Sequence, residues 1–456
     1  MSYNGKLLLL ILAGCTLRLL LLLQMPQLLS DDADGYVAHA EALIRTGIFS
    51  GPWTDLPTAF RPPLLPFLLS LLMRSGLSAV AAVALLQLVS TAVLLWAISR
   101  LAARLGLTPR VALLAVIPAA VDPLLLRYSL QPMTEVPCAA ILCLCLLSMT
   151  SDNVPDQLQR SRTLVSFGRW LGTGVLFGVG TLMRPVLMIA CGLMLLQQLV
   201  HSLRTHRGAL HSPAFRSSLV FPTGLLCGLL LVTGPWMIRN RIVMGGWVIA
   251  TTHGGYTLAL GNNPEFYRDV VNGDRSVPWD GAALSRWQRD SLQRAREAGV
   301  DVGNEIDLDR WYYQLAIRTA SSEPTSFFSA CLLRMSRFWG LSAIGASGLT
   351  KVALTGWYLF LWCGLLLSLL SLLNQQGSPT GSGLLRLRMW LSVLAFCLLH
   401  IVYWTDTRMR APLMPVLILL SSTGFAASLQ RLRQDESTDR QTEQPDQDVL
   451  PPAQQG

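Results

Sequence analysis

Apolar residues run almost unbroken over 7–25, and the run then stops at LLSDDADGYVAHAEAL, residues 28–43. Comparable runs recur near 79–99, 111–128, 132–149, 170–183, 186–203, 217–236, 352–373, 389–404 and 411–429. Each approaches the roughly 20 residues that an α-helix needs to cross a bilayer core of about 30 Å. None shows the alternation of a half-buried strand. The pattern therefore predicts an all-α polytopic membrane protein, a bundle of about 10–12 transmembrane helices, some of them short and kinked or half-crossing. The run 61–75 opens RPPLLP and ends at Arg74. It reads as a re-entrant or interfacial helix, because irregular backbone persists at membrane depth only where protein or a cavity surrounds it. The first run is long and lacks a small-x-small cleavage site, so it reads as an uncleaved span.

Residues 239–330 break the pattern, with ten Arg, eleven Asp or Glu and no Cys. ALSRWQRDSLQRAREAG and NEIDLDRWYYQLAIRTASSEP predict helices, the second capped by Asn304. The organisation expected is an N-terminal transmembrane module over 1–238 whose first loop spans 28–60, and a small helical insert over 239–350. C-terminal transmembrane helices follow over 351–430, and a polar, Pro- and Gln-rich disordered tail over 431–456.

Charge sets the orientation. Only 14% of residues are charged, against about 25% in soluble domains. The net charge is +9, and Lys6 and Lys351 are the only lysines. The arginines gather in short gaps between apolar runs (Arg100, Arg104 and Arg110; Arg160, Arg162 and Arg169; Arg204, Arg207 and Arg216; Arg386 and Arg388; Arg431 and Arg433), so they signal cytoplasmic loops rather than nucleic-acid binding. The loop 28–60 and the insert then face outward, across the inner (plasma) membrane of the cell. The nine cysteines lie almost wholly in apolar runs, without zinc spacing or a disulfide pattern. Glycine-rich phosphate loops are absent, which argues against cytoplasmic nucleotide chemistry.

The candidate chemistry collects on the outward side. A helix is expected from about residue 32, capped by Ser30 or Asp31 and stopped by Gly47, with Asp32, Tyr36 and Leu43 on one face. Asp31 and Asp34 read as caps that complement the helix dipole. Arg61, Arg184, Arg239, Arg408 and Arg410 each end an apolar run on that side, where arginine runs against the inward bias. Such guanidinium groups can hold phosphate oxygens two at a time. Glu135 follows Pro132 near a span end and is a functional candidate, with local pairing to Arg127 as the plainer account. HGGYTLALGNNP, residues 253–264, has the permissive backbone of a binding loop, with Asn262 and Asn263 as hydrogen-bonding groups and Tyr256 as a stacking ring; a tight turn is the plainer account. Asp406 is expected to pair with Arg408 or Arg410. No metal site is assigned, although Asp31, Asp32 and Glu135 would make a weak oxygen site if they converged.

Asp32, Tyr36, Ala40, Leu43 and Gly47 followed by Arg61, Pro62, Pro63 and Pro66 form a pattern that resembles the bacterial GT-C glycosyltransferases. The branch is the one similar to protein O-mannosyltransferases and the aminoarabinose transferase of lipid A. LQPMTEVP, GTLMRPVLMIA, GPWMIRNRIVMGGWVIATTHGGYTLALGNNP, RMSRFWG and TRMRAPLMP extend the likeness over roughly residues 7–425. The resemblance implies a GT-C-like bundle with outer-face amphipathic helices. It implies transfer of a sugar from a polyprenyl-phosphate donor to a lipid, glycan or protein acceptor outside the cytoplasm. Asp32 would be base or acceptor-orienting group, Glu135 its support, and Asp31, Tyr36 and the arginines would bind substrate. Some such enzymes require a divalent cation and others do not. A transporter or flippase for a lipid-linked glycan is the alternative; it predicts midplane charges or matched broken-helix halves.

Overall fold

The computed structural model describes the chain except residues 53, 151–158, 210, 276–278, 343–345, 375–380 and 443–456; side chains at 159–165 and 432–442 are also outside the description. Among the described residues the secondary structure is helical, and the one extended pairing is an isolated bridge between Ser50 and Pro57. The helices used below are α1 (Tyr3–Gln24), α2 (Tyr36–Thr46), α3 (Leu64–Arg74), α4 (Ala79–Arg104), α5 (Pro109–Val121), α6 (Pro123–Ser129), α7 (Glu135–Ser148), α8 (Gln159–Met183), α9 (Val186–Thr205), α10 (Val220–Met244), α11 (Gly254–Gly261), α12 (Gly281–Glu297), α13 (Glu305–Ser322), α14 (Pro324–Phe338), α15 (Gly348–Leu373), α16 (Ser382–His400) and α17 (Met414–Thr442).

Seven helical units among the described residues are long and apolar enough to cross a membrane: α1, α4, α9, Pro213–Met244, α15, α16 and Thr407–Arg431. The α5–α6 pair is an eighth if its 55° bend at Asp122 lies within one span. The bend has a local cause. Pro123 cannot donate to the preceding turn, and Asp122 caps the new helix by accepting from the backbone N–H groups of Leu124 and Leu125. The protein is thus an all-α, multi-pass membrane protein. The expected run at 61–75 forms α3, whose 11 residues reach only about 16 Å and cannot cross. Helix α17 continues to Thr442, past the point near 430 where a disordered tail was expected.

The tightest helix contact is α8 against α10. Gly174 meets Gly228 directly, while Gly178 faces Leu229 and Val232 and Gly224 faces Phe167 and Trp170, so each helix offers a four-residue spacing of glycines that lets the backbones touch. A Cβ on Gly174 would strike the Leu225 carbonyl, and one on Gly228 the Leu171 carbonyl. At one end of the bundle Arg169 and Arg388 donate to the carbonyls of Ser148 and Met149 at the C-terminus of α7. At the other end sits the insert, with its own aromatic core of Phe266, Tyr267, Trp279, Trp287 and Tyr312. Arg334 fastens it to the bundle by donating to the carbonyls of Ile401 and Gly261.

Candidate functional site

The chain leaves α1, makes one short helical turn at Gln27–Ser30, and reverses at Gly35, which has φ +74°. Helix α2 therefore begins at Tyr36 and not near residue 32. Asp32 caps it from a distance: its Oδ2 accepts from the Ala38 backbone N–H at 2.9 Å, while its Oδ1 is shielded and without a partner. Gly47, with φ +75°, ends the helix as expected.

The three aspartates of this loop have three different fates. Asp31 is exposed and takes a 3.4 Å hydrogen bond from the Gln131 amide. Asp32 caps α2. Asp34, read from sequence as a cap, instead pairs with Arg61 at 3.2 Å and with Arg408. Arg408 also donates through Nε to Glu135 at 2.6 Å, and Glu135 receives Arg184 at 2.9 Å on the same oxygen. The result is one continuous chain of charge, Arg61–Asp34–Arg408–Glu135–Arg184. Three guanidinium groups face two carboxylates, which leaves one positive charge in excess. Glu135 is wholly buried behind the arginines, which keep 16–20% exposure; its pairing with Arg127 does not occur.

Aromatic rings support the Arg61 end and the Arg408 centre of this chain. Arg61 lies 5.4 Å from the Phe60 ring centre and 5.8 Å from that of Tyr36, and Arg408 lies 5.5 Å from that of Tyr128. Burial pushes the Asp34 carboxyl up, but the charges of Arg408 and Arg61 outweigh it and hold the group down at about 2. Burial, and then the charge of Arg61, lower His253 to about 3, so it stays neutral beside that arginine.

Beside the charge chain opens a pocket of about 400 Å³, bounded by Asp32, Asp34, His39, Phe60, Arg61 and Glu305. Glu305 comes from the first turn of α13 in the insert. It accepts from the Thr58 hydroxyl, from the Ala59 N–H at 3.0 Å and from the Thr252 hydroxyl at 2.9 Å. The insert thus closes one wall of the pocket. His39 accompanies it, its Nδ1 3.0 Å from the Ser50 carbonyl oxygen.

Several expected contacts are absent from this cavity, each for a packing reason. Arg239 donates to the carbonyls of Thr58 and Phe49, both at 2.7 Å, and so clamps the loop behind the pocket. Arg410 is buried against Tyr358 and Trp362 and donates to the carbonyls of Phe338 and Gly340. Asn262 and Asn263 are buried within the insert, spent on the carbonyls of Leu258, Val402 and Ala259 and on the Phe266 N–H. Tyr256 accepts from Gln288 inside the insert and lies 5.0 Å from His253. Asp406 caps the Arg408 backbone N–H at 2.9 Å instead of making an ion pair. Asp31, Asp32 and Glu135 do not converge; among the described residues no group of three His, Cys, Asp or Glu is placed to hold a metal ion.

Sequence reasoning missed Asp34 and Glu305. The first had a faint signal, since one cap suffices for a helix and the loop spends three acids. Glu305 had none, because a Glu in the first turn of a helix is ordinary dipole complement.

The family model of dolichyl-phosphate-mannose-protein mannosyltransferases matches residues 60–237, from the base of the pocket through Arg184 to α10. The fold is similar to archaeal oligosaccharyltransferase AglB from Archaeoglobus fulgidus, solved with an inhibitory peptide and a dolichol-phosphate: TM-score 0.52, 14% identity, 98% of this chain against 52% of that one. The chain has the GT-C fold. The Archaeoglobus fulgidus oligosaccharyltransferase in its apo form gives a TM-score of 0.55 at 13% identity, over 97% of this chain and 52% of that one. The form tethered to an acceptor peptide with the NVT sequon gives 0.52 at 14%, over 95% and 50%. The chain spans about half the length of the solved structures whose fold it shares. No curated protein matches it in sequence.

Proposed function

We propose that the chain transfers a sugar from a polyprenyl-phosphate carrier to an acceptor on the extracytoplasmic face of the cell's inner membrane. The observation that carries this reading is the Arg61–Asp34–Arg408–Glu135–Arg184 chain lying against a pocket that Asp32 borders. A glycosyl phosphate ester needs cations at the departing phosphate and a base at the acceptor, and both are present within one constellation. The carrier phosphate takes up the excess positive charge on Arg61, Arg408 and Arg184, while Asp34 and Glu135 hold those guanidinium groups in register as positioning residues.

Asp34 is a poor base because its paired carboxyl stays ionised down to about pH 2. Asp32 is the better one: among the described residues no cation pairs with it, and its Oδ1 has no partner. In the transfer step the acceptor hydroxyl proton moves to Asp32 as the acceptor oxygen bonds to the anomeric carbon. The bond from that carbon to the phosphate oxygen breaks, and its electron pair stays on the phosphate, facing the arginines. The AglB structure contains a dolichol-phosphate and a peptide, which supports a lipid-linked donor for a chain of this fold. The acceptor is a lipid, a glycan or a protein. The orientation follows from the inward bias of the arginine-rich gaps, two of whose members, Arg169 and Arg388, lie at the bundle end away from the insert.

The test is to delete the gene and compare surface glycans and lipids by mass spectrometry. One hexose- or pentose-bearing species should disappear, return with the wild-type chain, and fail to return with Asp32→Asn at equal membrane abundance. An unchanged profile, or full rescue by Asp32→Asn, would overturn the reading.

A further inference from the structure

A second cavity lies away from the charge chain, towards the arginine end of the bundle. It is a groove of about 730 Å³ between α9 and α16, with Leu193, Leu196, Leu391 and Leu394 at one end and His201 and Arg204 at the other. The two helices run antiparallel, so Leu384 and Leu387 complete the polar end while Gln197 and Gln198 mark the transition. From Leu193 to Thr205 the groove measures about 18 Å at 1.5 Å per residue, close to the depth of one leaflet with its headgroup.

The charges carried by the two groove helices have one sign. No Asp or Glu occurs between Val186 and Pro264, nor between Gly381 and Thr405, whereas Arg204, Arg207, Arg216 and Arg386 do. Arg204 is exposed, and the shielded Gln197 Oε1 has no partner. A lipid-facing groove with an apolar floor, an unpartnered amide oxygen and a mouth lined by Arg204 without an acid is complementary to one amphiphile: a phosphate with a hydroxylated headgroup on an acyl chain.

We propose that this groove binds one anionic glycerophospholipid of the leaflet opposite the sugar-transfer site, its phosphate on Arg204 and one acyl chain along Leu193, Leu196, Leu391 and Leu394. The lipid braces α9, the helix that starts two residues after Arg184.

The full chain, reconstituted in nanodiscs, is photolabelled with phosphatidylglycerol bearing a diazirine on its acyl chain, or with the phosphatidylcholine equivalent, and the adducts are mapped by peptide mass spectrometry. Phosphatidylglycerol adducts should concentrate on α9 and α16 and exceed those of phosphatidylcholine about fivefold, the worth of one membrane-surface arginine. Arg204→Gln should abolish that preference, Arg207→Gln, outside the groove lining, should leave it, and Leu391→Trp should displace both probes from the groove with an unchanged melting profile. Labelling spread evenly over all lipid-facing helices, equal labelling by the two lipids, or indifference to Arg204→Gln would overturn the proposal. So would displacement by a polyprenyl phosphate, which would give the groove to the carrier. None of these readouts depends on sugar transfer.

Discussion

Asp34→Asn removes one carboxylate from a chain of five charges, and the structure fixes the size and pH range of the effect. The Asp34 carboxyl falls from an ordinary value of 3.8 to about 2 on folding. A tenfold change in proton affinity corresponds to about 1.4 kcal/mol, so ionised Asp34 contributes about 2 kcal/mol of stability. Because the folded value is the lower one, this contribution is complete above pH 3.8 and is lost as pH falls through 2. Thermal unfolding of the purified chain in detergent, followed from about pH 7 down to about pH 3, should show Asp34→Asn less stable at neutral pH. The gap should begin to close towards the acid end of that range. The difference between the two proteins isolates Asp34, because the other acids titrate in both. A gap that stays constant over this range, or no gap at all, would refute the account of Asp34 as the anion between Arg61 and Arg408.

Arg61→Lys and Arg184→Lys should retain more affinity for a polyprenyl-phosphate sugar than the Ala variants yet less than the wild type, since lysine keeps the charge and loses the two-pronged geometry; equal affinity across the set would make these arginines mere anchors. Glu305→Ala should release the insert from the first loop at a cost of about 1.5–3 kcal/mol for each charged hydrogen bond lost, visible as faster amide exchange at Thr58–Phe60 and Thr252; unchanged protection there would show that the clasp holds nothing. Gly228→Val should abolish folded protein, because its side chain would enter the Leu171 carbonyl, whereas Gly192→Ala, which faces open space, should melt within about 0.5 kcal/mol of wild type. Comparable yields from the two variants would refute the close packing of α8 on α10.

What could be read from the sequence was what is local. Span length and apolarity are properties of contiguous residues, so the apolar runs became helical, but 111–128 broke in two at Asp122, 132–149 shortened to the 14 residues of α7, and seven or eight candidate spans stand among the described residues where about ten were expected; α3 was recognisable as too short once its prolines were weighed. The start of α2 was misjudged because Gly35 reverses the chain and lets Asp32 cap across six residues. Arg408 and Arg410 show the harder limit. They lie two residues apart in TRMRAPL, yet the tight 3₁₀ turn Thr407–Leu413 sends one into the charge chain and the other into an aromatic box. Nothing in the heptapeptide separates them, because the difference is made by Asp34 and Glu135 on one side and Tyr358 and Trp362 on the other. The GNNP segment misled in the opposite sense: its turn-forming residues suggest an open loop, but the aromatic core of the insert closes over them.

Arg408 joins Asp34 to Glu135 across separations of 374 and 273 residues. A ribosome delivers those two acids hundreds of residues before their shared cation. Until Arg408 is made, the nascent polypeptide therefore holds two carboxylates without the cation they share. A chain truncated before Thr407 keeps both acids and lacks the guanidinium that joins them, so the two halves of the charge chain close on each other only after that turn has been made.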